Sequence, residues 1–373
     1  MPIQQINLFD SRQVKQFLQV PFRIYRDIPQ WVPPIAGDAR RMLDPRRHSF
    51  YQHSQAVFFI SQKVGQEPGG RLAVLYNTRY NDYNHEKTAF FFLFECEPDQ
   101  EAANGLFEAG FTWARQQGLN RIIGPKGFTA LDGLGLLVKG FEYMPALGIP
   151  YNPVYYPGLL EGAGFLPANE MVSGYLDKIP VLPDKVRLVA ERVQQQRGLR
   201  VTRFKNRNEL RRLVPKLKEL YNGSLEGTSG NVPLTDEEAA AMANQILWFA
   251  NPGLIKIIYK DTEPVGFLFA YPDISAALQR TKGRLFPFGW ISILLELRRT
   301  KILNINGAGI IEKYRGMGGT ALLFNEMVKT ISESRFTYVD IVQIGTDNER
   351  MLLELRNIGI NFHKVHRIYQ KEL

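Results

Sequence analysis

At 373 residues the chain is too long for one ordinary hydrophobic core, and a composition 45% apolar and 12% aromatic can fill two. That richness excludes a disordered chain, and the single cysteine, Cys96, excludes an intrachain disulfide or a cysteine-ligated zinc site. The net charge of +9, with an isoelectric point near 9.4, gives a surface able to attract polyphosphates or acidic lipids. The bases are scattered among acids rather than gathered in arms, so nucleic acid is not the expected partner.

In chain order, residues 3–8 alternate as a strand, and DSRQVKQFLQVPFRIYR has helical spacing with Asp10 or Ser11 as its cap. QAVFFISQKV and GRLAVLYN read as a hairpin across GQEPG, and TAFFFLFE (88–95) as a fully apolar strand. A capped helix ending at Gly118 follows, then the short strand RIIGP, a short helix or turn in NPVYYPGLLEGAGF, and the strand MVSGYLD. The second half repeats this order. VTRF is a strand, NELRRLVPKLKELYN a helix, and LIKIIYKDTEPVGFLFAYP a hairpin turning at Asp261–Glu263. A strand over 301–311, a helix in TALLFNEMVKTISES, the strand YVDIVQIG, the helix NERMLLELRNIGI and the strand HKVHRIYQ complete it. The Pro-rich KIPVLPDK (178–185) between the halves reads as a linker. The expectation is a mixed α/β chain of two units, 1–180 and 186–373, each a twisted, mostly antiparallel sheet flanked by helices.

The insertion 274–300 breaks the symmetry. Its stretch RLFPFGWISILLEL is the most apolar in the chain and has basic residues on both sides. It is too short to span a bilayer, since spans need about 18 apolar residues. A helical pair covering the sheet or the other domain, a lid over an acyl or lipid substrate, and transient contact with a membrane surface are the roles it could fill. The amino terminus carries no apolar run of the signal-peptide type, and a cytoplasmic protein is expected.

The sharpest chemical signal is NINGAGIIEKYRGMGGTALLFNEMV. An apolar strand ends at Ile311, and Arg315, Gly316, Met317, Gly318, Gly319 and Thr320 lead into a helix. Glycines between a strand end and a helix start let successive backbone N–H groups converge on an anion, and the helix dipole adds to the field. The loop is no P-loop, because no Gly-Lys-Ser/Thr follows it. Nor does an acidic residue cap a second strand about 20 positions on, as a dinucleotide site requires.

RGMGGT resembles the Arg/Gln-x-x-Gly-x-Gly/Ala loop of the GCN5-related N-acetyltransferase (GNAT) superfamily, and so does the order of elements around it. Asn348-Glu-Arg-Met351, Leu355 and Gly359-Ile360 resemble the family's following Asn-x-x-Ala…Tyr-x-x-x-Gly-Phe segment. The first half resembles the same fold, with Asn152, Tyr155, Tyr156, Gly164 and Phe165 in its closing motif, yet it passes from strand to helix without a glycine loop. The arrangement is similar to a group of bacterial tandem members carrying Gly124-Pro125 and Gly135-Leu136-Leu137-Val138-Lys139-Gly140-Phe141.

The resemblance implies transfer of an acyl group from acetyl-CoA or a longer acyl-CoA to an amine, on a small molecule or a lipid. Ile310 and Ile311 would supply strand-end amides to the pantetheine arm, Arg315 to Thr320 would hold the pyrophosphate, and Asn348 would flank the thioester or simply cap its helix. No metal is implied. Leu355 stands where many members place the tyrosine that protonates the departing thiolate, and Thr320 where Gly or Ala is usual. Glu312, Tyr155 and Tyr156 are the candidate catalytic groups. Asp340 reads as solvated at a strand edge, and His363 and His366 as structural or exposed. The first half, with Asp132, Tyr151 and Asn152 in the Gly-rich stretch 124–156, would wall the acceptor site. Two readings stay open beside catalysis: a non-catalytic acyl-CoA sensor or scaffold, and an aminoacyl-tRNA-dependent transferase. Two fused copies favour a monomer.

Overall fold

The first half opens with β1 (Ile3–Gln5) and α1 (Ser11–Ile24), which Asp10 caps by accepting the amides of Arg12 and Gln13. There follow α2 (Ala36–Met42), the hairpin of β2 (Gln55–Ser61) and β3 (Gly70–Tyr76), α3 (Thr78–Asn84), β4 (Thr88–Cys96) and α4 (Gln100–Gln116). The short strands β5 (Arg121–Gly124) and β6 (Leu136–Lys139), then α5 (Tyr156–Gly162) and β7 (Leu166–Leu176), close it. These elements come from a computed structural model that describes residues 2–63, 65–129, 131–176, 182–225 and 231–373. The expected linker at 178–185 lies outside them as far as residue 181.

The second half runs α6 (Asp184–Gln196), β8 (Leu199–Thr202), α7 (Arg207–Arg211), α8 (Val214–Leu225) and α9 (Asp236–Phe249). Next come β9 (Ile255–Lys260), β10 (Glu263–Pro272), α10 (Ser275–Thr281), α11 (Gly289–Arg299), β11 (Ile302–Ile310), α12 (Gly319–Ser332), β12 (Tyr338–Gly345), α13 (Glu349–Asn357) and β13 (Asn361–Glu372). The helix expected over NELRRLVPKLKELYN breaks into α7 and α8. Pro215 sits in the first turn of α8, where its missing N–H costs nothing, whereas in one continuous helix its ring would clash with the Arg211 carbonyl four residues back.

All the strands belong to one sheet, in the order β1-β2-β3-β4-β5-β13-β7-β12-β11-β10-β9-β8, with β6 also on β13. The two halves exchange their last strands. β13, from the second half, pairs antiparallel with β5 of the first, and β7, from the first half, pairs antiparallel with β12 of the second. Between them β7 and β13 pair with each other over their length. The exchange buries a strand of each half in the other's sheet, so the halves form one folded body.

Each half repeats one irregularity. β4 and β11 are both nine residues long. Each carries an extra residue against its antiparallel neighbour, between positions 92 and 95 and between 305 and 308. The bulges hold Leu93 at φ 51° and Gly307 at φ 118°. On one face of the second half, Leu303, Ile305, Val339 and Ile341 pack with Leu322, Leu323 and Met327 of α12 and with Ala190 and Val193 of α6. On the other, α8 closes over Ile257 and Phe267.

A charge cluster also clamps the halves. Glu238 on α9 accepts from Arg79 at 2.7 Å and contacts His53 at 3.2 Å, both from the first half. Burial pushes its carboxyl up, but the His53 hydrogen bond, the Thr235 amide and Arg79 outweigh it and hold the pKa down to about 2. A depressed carboxylate stabilises above its unfolded pKa, and that stability is lost as pH falls through the folded one. Glu238→Gln keeps the capping box with Thr235 and removes the charge. We therefore expect a thermal midpoint lowered by the equivalent of about 1–3 kcal/mol at neutral pH, with the gap to wild type closing between pH ~4.5 and 2. A gap independent of pH would show that the charge is not what clamps the halves.

Candidate cofactor-binding site

β11 and β12 run parallel and paired only from Ile302–Ile305 against Tyr338–Ile341. Beyond Ile305 they part, and the split is lined by Asn306, Gly307 and Ala308, the last two exposed. Along the other edge of β11, Ile311 donates its amide to Val265 at 3.0 Å, and Gly266 stands opposite Ile310. In an antiparallel ladder paired and unpaired positions alternate, so Ile310 and Ala308 turn their backbone groups away from β10 and into the split. Ile310 thus turns its amide toward the split. Ile311 does not, because β10 takes its amide. Ala308 turns its amide the same way, which shows only once the register is known.

After β11 a short 3-10 turn (Glu312–Tyr314) leads to the glycine loop. Gly316 and Gly318 hold φ of 78° and 83°, a left-handed backbone that glycine adopts without strain. From Gly316 through Ala321 no backbone N–H meets an acceptor among the described residues. The first that does is Leu322, which donates to the Gly318 carbonyl. Gly318 caps α12 with no side-chain bond to its first turn. Successive open amides at a helix start form an anion cradle. Thr320, the second residue of α12, adds a hydroxyl at its rim.

Arg315 does not reach into that cradle. Its guanidinium bonds the carbonyls of Ile310 at 3.2 Å and Ser224 at 3.0 Å, stapling the loop to β11 and α8. Met317 packs against the core. The cation at the cradle is instead Arg350 of α13, whose guanidinium stands 4.0 Å from where a Cβ on Gly316 would lie. Asn348 caps α13 by accepting the Met351 amide at 3.2 Å. Leu355 is 1% exposed in the core, and Glu312 is exposed at the foot of the loop.

The corresponding place in the first half is closed. Only residues 97–99 separate β4 from α4, and Asp99 fills the helix start by accepting the Ala102 amide at 3.0 Å. Cys96, the last residue of β4 as Ile310 is of β11, already has both backbone groups bonded. Its amide donates to the Tyr156 hydroxyl at 2.9 Å, and its carbonyl accepts from the Tyr155 hydroxyl at 2.9 Å. Tyr156 also joins Tyr25 in donating to buried Glu95, which pairs with Arg71 at 3.4 Å. Tyr155 and Tyr156 therefore plug the first half's own split and stand apart from the glycine loop.

The stretch 124–156 does form a wall, but through its backbone. Gln343 bonds both the amide and the carbonyl of Leu134, at 2.9 and 2.6 Å. The carbonyls of Met144, Leu147 and Pro150 accept from Lys364, Tyr271 and His366 of the second half. Asp132, Tyr151 and Asn152 bond within the first half, to Thr129, Phe141 and Leu137. His366 is fully buried, and burial pulls its pKa down to about 4, so it is neutral. Beneath this wall Asp340 is not solvated at an edge. β7 and β13 cover it, and it pairs with buried Lys364 at 2.7 Å. Near the bulge Tyr271 accepts from Asn306 at 3.2 Å, and burial raises its phenol, which keeps its proton.

No family model matches the chain. Two proteins are similar along nearly their full length. "Protein YghO" of Escherichia coli is 23% identical over 371 residues, 98% of this chain and 94% of that one. "Bacterial ceramide synthase" of Caulobacter vibrioides is 25% identical over 373 residues, 97% of this chain and 95% of that one. Among solved structures, a tandem GNAT protein from the clavulanic acid biosynthesis pathway aligns over 100% of this chain and 98% of its own, with a TM-score of 0.57 at 11% identity. With the paired bulges, the split strands and the glycine loop, that alignment establishes the fold. The chain has the tandem GNAT fold, with an open loop in its second half.

Proposed function

We propose that the chain transfers a long acyl group from acyl-coenzyme A to the amine of a lipid-like amino alcohol. The observation that carries the cofactor assignment is the run of open amides from Gly316 to Ala321, set against the self-capped α4 and plugged split of the first half. The pyrophosphate would lie on that run, with Arg350 beside it. The pantetheine arm would pair with Ala308 and Ile310, bringing the thioester to the bulge at Gly307. The amine then attacks the thioester carbonyl, the C–N bond forms, and the thiolate leaves carrying the C–S electron pair, while the proton lost by the nitrogen passes to that thiolate directly or through water. A coenzyme A thiol is acidic enough to depart without an acid beside it, so Leu355 is compatible with turnover. The lipid acceptor rests on likeness to the ceramide synthase, since a ceramide is an amide of a fatty acid and a long-chain amino alcohol.

The test is thiol release with acetyl-CoA or palmitoyl-CoA and a panel of amines, with mass spectrometry of the amide. We expect release only with the long donor and a long-chain amino alcohol. Leu355 in the core, where an acid would help the leaving group, favours a second reading of acyl-CoA binding without turnover. Coenzyme A raising the thermal midpoint, with no thiol released for any pair, would establish that reading instead.

A further inference from the structure

The insertion 274–300 is fixed to the first half, not draped over the split. Gln279 donates to the carbonyls of Pro29 and Trp31 at 2.7 and 2.9 Å, and Ala36 donates to the Gly283 carbonyl at 2.9 Å. Ile293 and Leu297 of α11 point inward, onto Ile274, Leu278, Val32 and Ile35. Among the described residues nothing covers the opposite face. Phe286 and Phe288 before the helix are 83% and 72% exposed, and Trp290, Ile291, Leu294 and Leu295 share the outer face at helical spacing. Six large apolar side chains exposed within ten residues of a folded chain point to a binding surface.

The charge around it identifies the partner. Lys282, Arg284, Arg298, Arg299 and Lys301 are all exposed. Glu296, the only acidic residue from 282 to 301, is paired with Arg280. A second copy meeting this face would bring two cationic rims together. A short helix with aromatic and aliphatic residues on one face and arginines at its end suits the boundary of an anionic bilayer, where Trp and Phe enter the headgroup region and the cations meet lipid phosphates. At 11 residues α11 lies along such a surface and does not cross it. We propose that the 284–299 face docks the protein on an anionic membrane surface. The proposal goes beyond the acyl-transfer reading and stands without it, because docking requires no turnover.

The experiment is co-sedimentation of the full chain with vesicles of equal phosphatidylglycerol and phosphatidylcholine, and with phosphatidylcholine alone. We expect binding to the anionic vesicles that weakens with added salt. Ile291→Glu/Leu294→Glu should lower it by at least about tenfold, and Arg298→Gln/Arg299→Gln by several-fold. All four positions are exposed, so the thermal midpoint and its response to coenzyme A should match wild type, which keeps a docking defect separate from a folding or cofactor defect. Failure of the wild type to sediment with anionic vesicles, or binding by the double-Glu variant equal to wild type, would overturn the proposal. So would a dimer in solution that the double-Glu variant dissociates, since a second copy would then be the occupant.

Discussion

A Gly316→Val chain is expected to lose coenzyme A affinity by at least about thirtyfold while staying folded. Gly316 sits at φ 78°, where an L-residue costs roughly 1–2 kcal/mol and a β-branched one more. The nearest atom to an added Cβ is Arg350 Nη1 at 4.0 Å, the far end of a flexible side chain, so the Cβ itself meets no clash in the folded chain. The backbone can escape the strain only by rotating, and that turns the open amides away from the phosphates they would hold. Gly318→Val should bind no better and also destabilise, because its Cβ would stand 2.6 Å from Val193 and 3.1 Å from Val189 on α6. The measurement is a calorimetric titration of both variants, with thermal midpoints recorded in parallel. Wild-type affinity in Gly316→Val would place the phosphate elsewhere.

The second large effect concerns the buried pair under the wall. Lys364→Met should destabilise the chain by about 3–5 kcal/mol, because it leaves the Asp340 carboxylate buried without its cation. It also strips the Met144 carbonyl of its donor, loosening the first half's segment where it crosses the sheet. Burial already raises the Asp340 pKa, with Lys364 as the main opposing influence. Without the lysine the carboxyl takes up a proton more readily, so the deficit should shrink as pH falls, a neutral acid being cheaper to bury than a charge. Asp340→Asn/Lys364→Met should recover most of the loss. Thermal denaturation between pH 5 and 8 measures all three. An equal deficit in the single and double variants would mean that the lysine matters for its packing and not its charge.

Much of the second half is legible in its sequence because its signals are local. RGMGGT needs only the knowledge that glycine tolerates left-handed backbone and that a helix start attracts anions. The hairpin turn at Asp261 shows itself as a break between two apolar runs. What escapes local reading is long-range pairing. Nothing in HKVHRIYQ says that it will lie beside β5, some 240 residues earlier, or that MVSGYLD will pair with β12. Once those strands have crossed, the remaining differences follow. Asp340 looks like an edge charge until β13 brings Lys364 against it. Tyr155 and Tyr156 look like site residues until their hydroxyls are seen on Cys96. Arg315 looks like a phosphate ligand because it opens the motif, yet the neighbouring carbonyls claim it, and Arg350 arrives from another helix.

On the proposed reading, one of two similar halves keeps a working cofactor site while the other has filled its own. Calorimetric titration of the wild-type chain with coenzyme A measures this directly through the stoichiometry. One molecule bound per chain, lost in Gly316→Val, is the predicted result. Two molecules per chain would show that Tyr155 and Tyr156 do not close the first half. No binding at all would contradict the assignment of the glycine loop.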